Sequence, residues 1–274
     1  MLEIPEAIVI SEQINETLIG KRIQEVIVNQ SPHKFAWLSG DSNYYSDLLV
    51  GGKIDGARPI GGHIQMEIGE VKVVFAEGIK LSYLIEGEAI PKKHQFLMRF
   101  EDESVLVASV QMYGGMWCFT GEFDNEYYVG ARDKLSALDM AFDFDYFKTI
   151  VLSDELMNKS VKEVLATKQR IPGLGNGVLQ DILYNAKIFP KRKMQTLSQE
   201  QIKNLFDSVK NTLVKMTANG GRDTEKDLFG SYGNYKTKVC KKTVDQPCSI
   251  CGSIILKKAF MGGSIYYCEG CQPE

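Results

Sequence analysis

Four cysteines near the C-terminus constrain this chain most: Cys248-Ser-Ile-Cys251 and Cys268-Glu-Gly-Cys271, separated by sixteen residues. Two CxxC pairs at such spacing bring four thiolates into a tetrahedral cage, the usual form of a structural zinc site. The intervening stretch is long enough for a β-hairpin. It is too short to build a core of its own, so metal binding would supply its folding energy. The competing reading, two disulfides, belongs to an oxidising compartment. Nothing in the sequence reads as a signal peptide, and a cytoplasmic location is the expectation. Four protein ligands leave no position for a substrate, so the cage accounts for how the tail folds while the rest of the chain carries function. Cys118 and Cys240 read as reduced thiols.

The 274 residues leave room for two domains ahead of that tail. No apolar run approaches the length needed to span a bilayer, so no membrane partner is expected. The net charge of -3 argues against a nucleic-acid partner if taken whole. Its distribution reverses the argument. Between Lys187 and Lys242 there are thirteen Lys/Arg against five Asp/Glu, and the remainder is correspondingly acidic. Such asymmetry suggests a polyanion-binding face on one lobe, with a merely solvated basic surface as the alternative.

The periodicity divides the chain. Residues 5–20 form an amphipathic helix, with Pro5 and Glu6 in the first turn, Ile10, Ile14 and Leu18 on one face, and Gly20 to end it. From Arg22 to about Phe123, short β-rich runs such as His63–Ile68, Val71–Phe75 and Phe96–Phe100 alternate with Gly, Asp and Asn, which suggests an antiparallel sandwich or barrel. An acidic, aromatic stretch then leads into helical patterning. Ser198 and Gln201 are spaced as a capping box for a long helix ending near Ala218. The expected fold is α+β: a leading helix and β-sandwich over 1–124, a linker over 125–150, a helical domain over 151–239 and a zinc-bound hairpin over 240–274.

Between two of the helices lies Lys168-Gln-Arg-Ile-Pro-Gly-Leu-Gly-Asn176. Gly173 and Gly175 let the backbone turn tightly and approach a ligand. The free N–H groups of the following helix favour an anion, Asn176 can add a side-chain donor, and Lys168 and Arg170 add charge. This suits a phosphate grip. The alternative is an ordinary helix–helix turn with Asn176 as N-cap.

Taken together, these motifs resemble the formamidopyrimidine-DNA glycosylase / endonuclease VIII family. Leu2-Glu-Ile-Pro-Glu6 is similar to that family's Pro-Glu-Leu-Pro-Glu start, and Pro172–Asn176 to its helix–two-turn–helix. Gly220–Gly230 is similar to the loop closing over an extruded base, and Cys248–Gln272 to its zinc finger. The resemblance implies a monomer with structural zinc that grips damaged double-stranded DNA between two lobes and flips the lesion out of the stack. Phosphate contacts would come from Lys168, Arg170, Gly173, Gly175 and Asn176. Arg222 and Thr224 would lie in the loop over the base.

The chain departs from this family at its chemical centre. The family nucleophile is an N-terminal proline amine, whereas the matching residue here is Leu2, whose backbone amide is not nucleophilic. A bulky second residue is expected to retain Met1, whose α-amine is then an alternative nucleophile one residue out of register. Glu3 and Glu6 persist, Glu3 as the proton-transfer carboxylate and Glu6 as an orienting group. The family's hairpin lysine aligns with Gly62, leaving Arg58 or His63 to reach phosphate, and its finger arginine aligns with Gly263. Met112 or Tyr113 is the candidate wedge for the space a flipped base leaves, unless both are core. The expected function is base excision by water activated at Glu3, on the nucleoid. The alternatives are an amine-based glycosylase/lyase using Met1 and a non-catalytic binder of damaged DNA.

Overall fold

The computed structural model describes residues 2–274, so the Met1 amine lies outside the described residues. In chain order the first lobe contains α1 (Ile4–Leu18), β1 (Ile23–Val28), β2 (Ala36–Leu38), α2 (Tyr44–Leu49), β3 (Gly56–Ile60), β4 (His63–Ile68), β5 (Val71–Phe75), β6 (Ile79–Leu84), β7 (Phe96–Phe100), β8 (Val105–Val110) and β9 (Gly114–Thr120). The strands form a sheet ordered β1-β7-β8-β6 and a second ordered β2-β9-β5-β4-β3. All pairings are antiparallel except β2 with β9. Inward side chains of both sheets, among them Met66, Val73, Phe75, Phe96 and Phe100, share one core with Leu2, Ala7, Ile10, Ile14 and Leu18.

The span expected as a linker contains α3 (Glu126–Arg132) and most of α4 (Phe144–Val151). α5 (Val161–Ala166), α6 (Asn176–Asn185) and α7 (Gln199–Ala218) follow. The capping box of α7 is present, with Ser198 Oγ accepting from Gln201 N and Gln201 reaching back to Ser198 N. Phe142, Phe147, Leu179, Ile182, Leu205 and Leu213 make the second core, and Ile4 of α1 belongs to it too. α1 is therefore a strut shared by both lobes.

The lobes meet backbone to backbone. The β3–β4 turn at Gly61-Gly62 lies against Pro172-Gly173, and a Cβ on Gly173 (φ 77°) would stand 2.2 Å from Gly62 N. A Cβ on Gly62 would come within 2.9 Å of the Glu77 side chain and 3.1 Å of Gly173 Cα. Ile4 N donates to Gly173 O at 3.1 Å beside this contact.

β10 (Ile255–Phe260) and β11 (Gly263–Cys268) form the C-terminal hairpin, which docks on α6. Gln180 Nε2 donates to Ser264 O, and Tyr266 N donates to Gln180 Oε1. No helix among the described residues is long and apolar enough to cross a membrane.

Candidate active site

A cavity of about 260 Å³ opens between the lobes, walled by Leu2, Glu3, Glu77, Tyr113, Tyr127, Lys168, Gln169 and Asn176. Glu3 is the N-cap residue of α1 but its side chain caps a different helix. Its Oε1 accepts from Gly177 N (2.8 Å) and its Oε2 from Val178 N (2.7 Å), at the start of α6. A helix N-terminus favours an anion through its free N–H groups and dipole. The anion gripped there is the protein's own carboxylate. Gly175 and Gly177 make the room: a Cβ on Gly175 would stand 2.6 Å from Glu3 Oε1, and one on Gly177 1.8 Å from Arg222 Nη1.

Arg222 closes this cluster. Its Nε and Nη2 donate to the two oxygens of Glu6 at 2.9 and 2.7 Å, and its Nη1 lies 3.3 Å from Glu3 Oε2. All three side chains are buried. Burial pushes the Glu3 carboxyl up, while Arg222 and the two peptide N–H groups pull it back. Arg222 is thus the clamp of two carboxylates and not a residue of a loop tip facing a base. The Gly220–Gly230 segment is itself tied down: Leu228 is buried in the sandwich core, Leu228 N donates to Gln13 Oε1, and Tyr83 N donates to Leu228 O.

Three further sequence expectations are corrected. Nη1 of Arg170 faces the C-terminal turn of α5, donating to the carbonyls of Glu163, Val164 and Thr167, so it supports that helix. Asn176 is the first residue of α6 rather than its cap, and its Nδ2 donates to Ser264 O, fastening the zinc hairpin. His63 is buried at the floor of the sandwich edge and reaches no phosphate. Lys168 and Arg58 are exposed. Arg58 lies 3.5 Å from Glu67, and it lines a separate cavity on the α3 side. Met112 and Tyr113 are 65 % and 40 % exposed, which excludes the core alternative. Thr224 lines another cavity of about 260 Å³ with Leu2, Glu6, Gln111 and Lys226.

Glu77, which the sequence reading passed over, forms the opposite wall from Glu3. It lies two residues beyond the end of β5, after the buried run Val73–Ala76. Gln169 Nε2 donates to its Oε1 at 3.1 Å, and among the described residues it has no cationic partner. Burial pushes its carboxyl up to about 7, with the Gln169 amide opposing and the Glu3 charge adding. Gln169 is held for this contact by Gly173 N, which donates to Gln169 Oε1. Lys168 and Gln169 both adopt positive φ (57° and 48°), a left-handed backbone that non-glycine residues seldom hold without support from their surroundings. The sequence clue to Glu77 was an acid just after the apolar run Val73–Ala76.

Residues 135–227 match the family profile described as formamidopyrimidine-DNA glycosylase H2TH domain. Formamidopyrimidine-DNA glycosylase of Listeria monocytogenes serovar 1/2a is 29 % identical over 99 % of this chain and 100 % of its own length. That of Bacillus cereus is 26 % identical over the whole of both chains. Among solved structures, a Lactococcus lactis Fpg complex with abasic-site DNA superposes with a TM-score of 0.84 at 22 % identity, covering 99 % of this chain and 100 % of that one. Residues 135–227 thus carry this family's H2TH domain, and the chain is similar to formamidopyrimidine-DNA glycosylases from end to end. The fold class expected for that family, a sandwich lobe, a helical lobe and a four-cysteine hairpin, is the one observed.

The C-terminal hairpin carries a complete four-cysteine set. The sulfurs of Cys248, Cys251, Cys268 and Cys271 lie within 4.8 Å of one another, with Cys248–Cys271 at 3.7 Å and Cys251–Cys268 at 3.3 Å. A tetrahedron with Zn–S bonds of about 2.3 Å has edges of roughly 3.8 Å, so the set fits zinc. Tyr184 Oη lies 3.0 Å from Cys248 Sγ, and Gln272 bridges Cys268 N to Ile188 O, fixing the cage to α6. The ion would order the hairpin, and with it the acceptor for Asn176.

Proposed function

We propose that this protein is a DNA glycosylase that binds damaged duplex DNA as a monomer, extrudes the lesion and hydrolyses its N-glycosidic bond, with Glu77 handling the proton. Similarity to this family from end to end supports the reaction class, and solved relatives are complexes with abasic-site, 8-oxoguanine and formamidopyrimidine DNA. The basic helical lobe would draw in phosphate, with exposed Lys168 at the cavity mouth. The cavity beside Thr224 would hold the extruded base. A genomic substrate places the protein on the nucleoid.

The observation that carries the mechanism is the contrast in partners between the two carboxylates. Glu3 is engaged by two peptide N–H groups and a guanidinium, whereas Glu77 faces the cavity with one amide partner. Pairs of carboxyls in unlike environments divide their roles in this way. As a carboxylate, Glu77 takes a proton from a water whose oxygen bonds to C1′ of the sugar. The bond from C1′ to the base nitrogen breaks with its electron pair going to the base, which is then protonated from solvent. Leu2 at the second position supplies no amine for a Schiff base, so strand cleavage is not expected.

The test is incubation with duplexes carrying a panel of damaged bases, with and without borohydride. Base release without a covalent adduct is the expected result. An adduct on Met1 would establish amine chemistry, and tight binding without release of any base would leave a damage-binding protein. In the wild type the rate should rise with pH through about 7, as Glu77 loses its proton.

A further inference from the structure

A second cavity, of about 320 Å³, adjoins the one between the lobes and shares Glu77, Tyr113, Tyr127 and Gln169 with it. Its walls are aromatic. Both tryptophans of the chain, Trp37 and Trp117, line it together with His63. Trp37 and Tyr113 lean on each other with ring centroids 6.0 Å apart, and His63 meets the Trp117 ring edge-on at 5.9 Å. Gly115 contributes no side chain, because a Cβ there would stand 2.3 Å from the Trp117 ring. At the mouth, Trp37, Tyr113 and Tyr127 are 51 %, 40 % and 62 % exposed. A cluster of solvated rings around a cavity marks a binding site more often than it marks packing.

His63 adds no charge to this slot. Its Nδ1 accepts from Glu77 N at 3.3 Å, so in the neutral ring the proton sits on Nε2. Burial holds the imidazole pKa down to about 4, the Tyr127 carbonyl pulling weakly the other way, so the ring is neutral at pH 7. The Nε2 atom is buried and meets no hydrogen-bond partner. An apolar slot walled by uncharged aromatic rings matches a nucleobase, which stacks on such rings.

We infer that this aromatic cavity takes up the base left unpaired opposite the lesion when the lesion is extruded. The inference rests on the glycosylase reading. The cavity beside Thr224 shares no residue with the aromatic one, so a base held under the Thr224 segment does not occupy it. The aromatic cavity is instead continuous with the cleft through Tyr113, whose neighbour Met112 projects at the rim. Flipping one nucleotide unstacks it and leaves its partner unpaired. Stacking the second base against Trp37 would return part of that cost, and stacking accepts any base identity.

The experiment compares wild-type protein and Trp37→Ala on three duplexes of one sequence. The first is undamaged, the second has a tetrahydrofuran abasic analogue opposite cytosine, and the third has the analogue on both strands. Wild type should bind the second roughly tenfold more tightly than the third, the fold-change expected for one stacked base. Trp37→Ala should bind the two alike, and tryptophan emission should fall only with the second duplex. Equal binding of the second and third duplexes by wild type, with unchanged emission, overturns this inference alone. A Trp37 effect seen only when an unpaired base occupies the lesion position also overturns it, since the cavity would then hold the extruded base. No preference for either abasic duplex over the undamaged one overturns the damaged-DNA reading and this inference with it.

Discussion

The two walls of the central cavity carry one carboxylate each, and their surroundings differ. On the Glu3 wall, ionised groups are taken out of water together, with a guanidinium clamped by two carboxylates and peptide N–H groups completing the set. On the Glu77 wall a carboxyl is taken out of water with a single neutral partner. The first arrangement makes structure and the second keeps a proton exchangeable near neutrality. A short acidic motif at a chain start therefore does not reveal whether its carboxylate reacts or holds the fold; its partners do.

The comparison breaks most visibly if Arg222 is neutralised. Arg222→Met leaves Glu3 and Glu6 buried without a cation, and loss of one partner from a buried ionic cluster costs about 3–5 kcal/mol. Urea denaturation should show that loss. An unchanged midpoint would mean the cluster is not the clamp the geometry indicates. Glu77→Gln should behave oppositely. Base release should fall by a factor of about a hundred or more, while the fold becomes more stable above neutral pH.

The pH dependence sharpens this second prediction. Glu77 titrates near 7 in the fold against an ordinary value of 4.5, so the folded chain holds the proton more tightly than the unfolded one. Its contribution to stability is fully present below 4.5 and is lost as pH rises through 7. At about 1.4 kcal/mol per unit this amounts to roughly 3 kcal/mol at most. In Glu77→Gln that decline should be absent from denaturation midpoints measured between pH 5 and 8.

Gly62→Ala presses a methyl against Glu77 and Gly173, and should cost about 1–3 kcal/mol. Gly130→Ala, in the open on α3, serves as the control and should not destabilise. The smallest effect belongs to Arg58→Ala. Its pairing with Glu67 is exposed, and its loss should cost under about 1 kcal/mol by the same measurement.

What could be read beforehand was what local spacing encodes. The two CxxC pairs announced the zinc hairpin, Ser198 and Gln201 announced α7, and the β-rich run Val71–Phe75 announced β5. β2 is three residues long and pairs in parallel with β9 some eighty positions away, which no local pattern signals. The glycine-rich turn suggests a phosphate grip, whereas the anion held by the helix start after it is Glu3, 174 positions earlier in the chain. The Arg222–Glu6 pairing spans 216 positions. Glu77 escaped notice because its character comes from burial against Gln169, not from its neighbours in sequence.

α1 leaves the ribosome first, yet its first turn is completed by Gly173, Gly177, Val178 and Arg222. At elongation rates of about 5–20 residues per second, those partners emerge on the order of ten seconds or more later. Until then Glu3 and Glu6 have neither their peptide donors nor their guanidinium, and the sandwich can form without its N-terminus in place. The nascent protein thus holds a half-made cavity until nearly all of it has been synthesised. Activity should appear only with chains that extend beyond Arg222, however well the first lobe folds by itself.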